Sequence, residues 1–94
     1  MSARRKERQA RQPEEMMVAK YTMAVACHLT GVEAHRIRRF EKAFLLKPER
    51  TQTGQRLFCD ADIELIKEIA KLEDEGVNLS GIKVILAMRR GERK

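Results

Sequence analysis

Apolar positions recur along this chain at helical spacing and are broken where glycine, proline and threonine fall. Between residues 34 and 44, Ile37, Phe40 and Phe44 stand at i, i+3 and i+7, which makes one buried stripe of a helix. His35, Arg38, Arg39 and Lys42 take the other side, and Arg36 flanks them. The spacing that buries the stripe therefore turns the cations outward. A shorter helix precedes it over about Met23–Leu29, with Thr22 as N-cap and Ala26 and Leu29 facing inward. Gly31 ends that helix in the left-handed manner, leaving a tight turn at Thr30-Gly31-Val32.

Pro48 keeps the second helix from running on. Arg50-Thr51 and Arg56-Leu57-Phe58 can then pair as two short strands around a Gln52-Thr53-Gly54-Gln55 turn. Ile63, Ile66, Ile69 and Ala70 mark a third helix over about Asp60–Glu73, capped at Cys59-Asp60 and ended by Gly76. Ser80 is placed to cap a fourth, about Gly81–Met88, with Ile82, Ile85 and Leu86 inside. The pattern predicts a mainly α fold with a small β-hairpin.

Residues 1–12 have no apolar period and read as a disordered basic arm, or a nascent helix that orders on a partner. Pro13 followed by Glu14 and Glu15 is a helix-start signal, so a short helix is expected over 13–20. Its apolar content, Met16, Met17 and Val18, is too little for stability alone and offers a subunit contact. The organisation is thus a basic tail over 1–20, a domain over 21–90 and a charged end over 91–94.

Charge sharpens the picture. The 94 residues carry a net +6 with pI near 9.7, which favours a polyanionic partner. Lysine and arginine outnumber acids six to three in residues 1–20 and seven to three in 21–59, but not in 60–94, where they stand seven to eight. The excess therefore lies on the tail, the basic helix and the hairpin. A basic helix followed by a basic hairpin suits duplex DNA, one element for a major groove and the other for the adjacent backbone.

Enzyme chemistry finds little footing. No paired-carboxylate, Ser/His/Asp, Cys/His or phosphate-loop spacing is present, and no cofactor is expected. His28 beside Cys27 points a different way along its helix and lacks further ligands, so no metal site is expected. Cys27 reads as a buried inert thiol that lets the first two helices approach. Cys59, after the hairpin, reads as partly exposed. No secretory h-region and no apolar run near ~20 residues occur, which points to a cytoplasmic protein with reduced thiols and no membrane partner.

The run YTMAVACHLTGVEAHRIRRFEKAFLLKPERTQTGQRLF (21–58), Asp62 in the next helix and DEGVNLSGIK (74–83) resemble the DNA-binding domain of MerR-family transcription regulators. Within that family the DEGVNLSGIK stretch is most similar to the heat-shock repressor HspR subgroup, then to the glutamine-synthetase repressor GlnR subgroup. The resemblance implies a winged helix-turn-helix. The 34–44 helix would enter the major groove, and the wing over 47–58 would lie on the backbone. Helix contacts would fall on His35, Arg36, Arg38 and Arg39, and wing contacts on Arg50 and Arg56; Lys42 and Gln55 beside them are further candidates for DNA contact.

Three departures stand out. Arg39 takes the place of a phosphate-contacting Tyr, and Gln55 takes the place of a Tyr in the wing. The family also normally continues into a long dimerising helix and often an effector domain. This sequence reaches Lys94 with neither, so metal or drug sensing is not expected.

The expectation is a sequence-specific double-stranded DNA-binding regulator, a repressor before an activator, because the family's activators distort promoters through the long-helix dimer. A weak or DNA-assisted homodimer through Met16, Met17 and Val18 is expected, a pairing that the GlnR-like resemblance also implies. RNA polymerase or another regulator is a further candidate partner. An excisionase-like architectural factor and a protein-interaction adaptor are the alternatives.

Overall fold

The computed structural model describes residues 13–91. The basic arm over 1–12 and residues 92–94 lie outside them. Among the described residues, five helices and one hairpin follow in chain order: α1 (Pro13–Met16), α2 (Met23–Thr30), α3 (Ala34–Lys42), β1 (Glu49–Arg50), β2 (Arg56–Leu57), α4 (Asp60–Asp74) and α5 (Leu79–Arg89). The order is a helix-turn-helix, a wing and two supporting helices, which is the winged helix-turn-helix architecture.

Thr22 caps α2, its hydroxyl accepting from the Val25 N–H at 3.3 Å. Gly31 closes the helix at φ 72° and donates its N–H to the Cys27 carbonyl at 2.8 Å. A left-handed residue is required there, and glycine takes that shape without strain. Ala26 is fully buried, as its spacing predicts, but Leu29 is exposed. Cys27 is only partly buried, packed at the edge of the core.

Helix α3 ends two residues earlier than its apolar spacing predicts. Ile37 and Phe40 are fully buried, but Phe44 is 83 % exposed. The chain turns through φ 63° at Phe44, so Leu45 and Leu46 reach the core in its place. Spacing alone cannot tell these outcomes apart, because Leu45 is as well placed for the core as Phe44 once the helix stops.

The wing is two residues wide on each side, with Glu49 opposite Leu57 and Arg50 opposite Arg56. Pairing thus starts one residue earlier than expected. The Thr51 N–H donates to Gln55 O at 2.8 Å and closes the loop, while Gly54 takes φ 88° at its tip. Past β2, Phe58 and Tyr21 form an antiparallel bridge, with the Phe58 N–H donating to Tyr21 O at 2.7 Å. The start of the domain is thereby tied to the base of the wing. The Tyr21 hydroxyl donates to Asp60 Oδ1 at 2.6 Å, which secures the same corner to α4.

Helix α4 is the spine. Ile63, Ile66, Ile69 and Ala70 all face the core with Phe40, Phe58 and Ile82. Asp62 accepts from the Cys59 N–H at 3.0 Å at its start. Cys59 is buried, which corrects the expectation of partial exposure, and burial pushes its thiol pKa up. A raised thiol pKa keeps it protonated and unreactive. Helix α5 begins earlier than expected because Asn78, not Ser80, is the cap: its side-chain oxygen accepts from the Gly81 N–H at 2.8 Å. Ile82 and Leu86 are buried on its inner face, and Ile85 is half-buried. At the other end, α1 is a single turn, shorter than the helix expected over 13–20. Met17 and Val18 beyond it are exposed, and Met16 is half-buried.

Candidate nucleic-acid interface

Helix α3 presents two kinds of arginine. Arg36 and Arg39 converge on one carboxylate of α4. Arg36 Nη2 donates to Glu73 Oε1 at 2.8 Å and to Asp74 Oδ1 at 3.2 Å, and Arg39 Nη1 donates to Glu73 Oε2 at 2.6 Å. Both guanidinium groups also lie over the Phe40 ring, at 5.8 and 5.7 Å from its centroid. The Glu73 hydrogen bond, acting against burial, raises the Arg36 pKa further, so this group is a fixed cation. Arg38 is different. It is exposed and has no ion pair among the described residues, and Lys42 shares both properties. His35 is exposed at the start of the helix, with Nδ1 3.3 Å from Glu33.

Sequence reasoning missed how the wing is aimed. Glu41, on α3, receives Arg56 Nε at 2.6 Å and Arg50 Nη2 at 3.0 Å. Arg50 also donates through Nη1 to the Gly54 carbonyl at 2.9 Å. One carboxylate therefore locks helix and wing into a single rigid surface. A lone acid among the basic residues of α3 was the available signal. Glu73 offered none, because it lies more than thirty residues from its partners. Gln55 is exposed beside the wing tip.

Burial alone would raise the Glu41 pKa, but the hydrogen bonds from Arg56 and Arg50 outweigh it and hold the carboxyl below its ordinary 4.5. A lowered folded pKa contributes stability that is fully present above the unfolded value and is lost as pH falls through the folded one. Glu41→Gln is thus expected to destabilise the domain by about 1–2 kcal/mol at neutral pH. The deficit should vanish below the carboxylate range, where the native side chain is also neutral. Thermal melts of both proteins from pH 7 to pH 2 check this. A deficit that persists in acid would mean that packing, not charge, makes the brace.

His35, Arg38, Arg39, Glu41, Lys42, Phe44, Arg50 and Arg56 line one shallow concavity between α3 and the wing. The surface is open, strongly cationic and has no enclosed cavity for a small molecule. Among the described residues, no group of three or more His, Cys, Asp or Glu side chains converges. No helix among them is long and apolar enough to cross a membrane. The candidate subunit contacts Met16, Met17 and Val18 lie elsewhere, at the end of α1 and just beyond it, before the Tyr21–Phe58 corner.

Known proteins match this arrangement. The family profile described as "MerR HTH family regulatory protein" matches residues 21–89. The transcriptional regulator MlrA of Salmonella typhimurium is 39 % identical over 77 residues, which is 81 % of this chain and 32 % of that one. The heat shock protein HspR of Streptomyces coelicolor is 36 % identical over 69 residues, 72 % of this chain and 46 % of that one. This chain therefore matches only about a third of one relative's length and under half of the other's. Among solved structures, HiNmlR, "a MerR family regulator lacking the sensor domain, bound to promoter DNA", superposes with a TM-score of 0.70 at 28 % identity. That match covers 78 % of this chain and 56 % of the other. These matched proteins are regulators, not enzymes, and they do not favour the architectural or adaptor alternatives.

Proposed function

The chain belongs to the MerR family of helix-turn-helix regulatory proteins, and on that footing we propose that it is a sequence-specific double-stranded DNA-binding transcription regulator that represses. Helix α3 enters the major groove and the wing follows the adjacent backbone. The observation that carries this reading is the single cationic surface formed by α3 and the wing, held rigid by Glu41. Arg38, with a free guanidinium on the outer face of α3, reads bases, and His35 at the helix start assists it. Lys42, Arg39, Arg50, Gln55 and Arg56 contact phosphates, which position the domain without reading sequence. Arg36 sits behind them, holding α3 to α4 through Glu73 and Asp74.

Selection of duplexes from a random pool, followed by titration over a salt series, tests the reading. A defined motif should emerge, with affinity falling steeply as salt rises, by about one logarithmic unit of slope per phosphate neutralised. A reporter carrying that motif across its promoter should lose expression when the protein is supplied. Failure to enrich any duplex sequence would remove the proposal.

We infer pairing on a two-part site through Met16, Met17 and Val18, supported by the exposure of Met17 and Val18 beyond α1. We expect this segment to join two subunits with a dissociation constant on the order of micromolar or weaker, as a small interface allows. Deleting residues 1–19 spares Tyr21 and its bridge to Phe58. The fold should therefore survive while cooperative binding to two half-sites falls. Sedimentation of full and shortened chains with a two-site duplex decides it. Equal pairing by both would transfer the dimer contact to another surface.

A further inference from the structure

Phe44 stands outside the core. The residue is 83 % exposed, while Leu45 and Leu46 beside it are buried. Its backbone stands at φ 63°, a conformation that an aromatic residue adopts with strain and glycine adopts freely. The position is not a loose loop. The Phe44 N–H donates to Glu41 O at 2.9 Å, and the Leu45 N–H donates to Phe40 O at 3.1 Å. A rigid turn thus holds a large apolar ring out into solvent.

The ring opens onto the concavity that also holds Arg38, Lys42, Arg50 and Arg56. From the other side, the Lys83 ammonium of α5 lies 5.6 Å from the ring centroid. Lys83 is exposed and has no ion pair among the described residues. An apolar disc framed by cations fits a surface that alternates apolar and anionic groups at short range. An apolar protein groove does not fit, because closing it over the ring would strip water from the surrounding cations without pairing them. The sugar–phosphate backbone of DNA does fit, since each deoxyribose presents carbon atoms next to a phosphate.

Resting on the DNA-binding reading above, we propose that Phe44 is a backbone contact of this protein. Its ring packs against a deoxyribose of the strand between recognition helix and wing, while Lys83 takes the adjoining phosphate. The contact positions the domain and reads no base. It joins α5 to the interface, so helix, wing and supporting layer all touch the same strand.

The test compares the full chain with Phe44→Gly, which relieves the backbone, and Phe44→Tyr, which keeps the ring. Each is titrated against a duplex selected by the native protein and against an unrelated duplex, and each is melted. Phe44→Gly should melt at or above the native temperature, yet bind both duplexes about 5–20-fold more weakly, as loss of one ring contact implies. Phe44→Tyr should bind within about twofold of native, since it keeps that contact. Replacing each thymine by deoxyuridine should leave the gap between native and Phe44→Gly unchanged. Native-like binding by Phe44→Gly, with Arg38→Ala still impaired, would overturn this inference and leave the DNA-binding reading standing. A gap that closes at one deoxyuridine would overturn the sugar contact in favour of a thymine methyl. A native chain that binds no duplex would remove both.

Discussion

Phe40→Ala is expected to lose about 3–5 kcal/mol of folding stability, the usual cost of emptying a buried aromatic site. A domain of this size has roughly 5–10 kcal/mol in total, so about half would go. The melting temperature should fall by about 15–30 °C. The size of the effect follows from where the ring lies. It is fully buried in the core that joins α3 to α4, and it is also the floor beneath Arg36 and Arg39. Removing it opens a cavity and loosens both guanidinium groups that grip Glu73. DNA binding should weaken with stability, because α3 would no longer be held at a fixed angle to the wing. Phe44→Ala is the internal control. It removes the same ring four residues along the chain, but from an exposed site, and should cost little stability. Circular-dichroism melts of both variants check the contrast. Melting of Phe40→Ala within a few degrees of native would mean that α3 is anchored by something other than this ring.

Arg38→Ala should behave in the opposite way, with an unchanged melting temperature and specific binding weakened by about 1–3 kcal/mol. That corresponds to roughly 5–150-fold in dissociation constant. Preference at one base pair should relax. Arg38 is singled out because its neighbours are engaged. Arg36 and Arg39 both donate to Glu73, whereas Arg38 on the outer face of α3 has no ion pair among the described residues. A guanidinium free of internal partners can give both donors to a guanine edge without first breaking a bond. Competition titrations with single-base variants of the selected duplex measure the effect. Relaxation by Arg36→Ala instead would mean that the Glu73 brace opens on DNA and that the two arginines exchange roles.

Much of the domain was legible in the residues because its elements are short, local and strongly patterned. Thr22 and Gly31 frame α2, and Ile63, Ile66, Ile69 and Ala70 define the inner face of α4, since caps and helical period act over a few residues only. The cationic outer face of α3 follows from the same arithmetic. Family membership was equally readable, through residues at fixed offsets from Tyr21 to Lys83, and the profile match over 21–89 covers that span.

The misreadings arise where local pattern stops deciding. Phe44 satisfies helical spacing, yet it is exposed. Spacing describes an endless helix, whereas the chain must leave α3 at Lys42 and bring Leu45 and Leu46 inward on its way to the wing. The roles of the arginines depended on partners far away in sequence. Nothing local distinguishes Arg36 from Arg38. Only the packing of α3 on α4 brings Glu73 beneath one and leaves the other in solvent. Glu41 gains its importance in the same way, because the hairpin folds back and presents Arg50 and Arg56 to it. The sequence by itself determined which residues are charged, which helices form and which family they build. Which guanidinium groups stand free of an internal partner was decided by tertiary structure alone, because a carboxylate engages the guanidinium it can reach, and reach is a property of the folded chain.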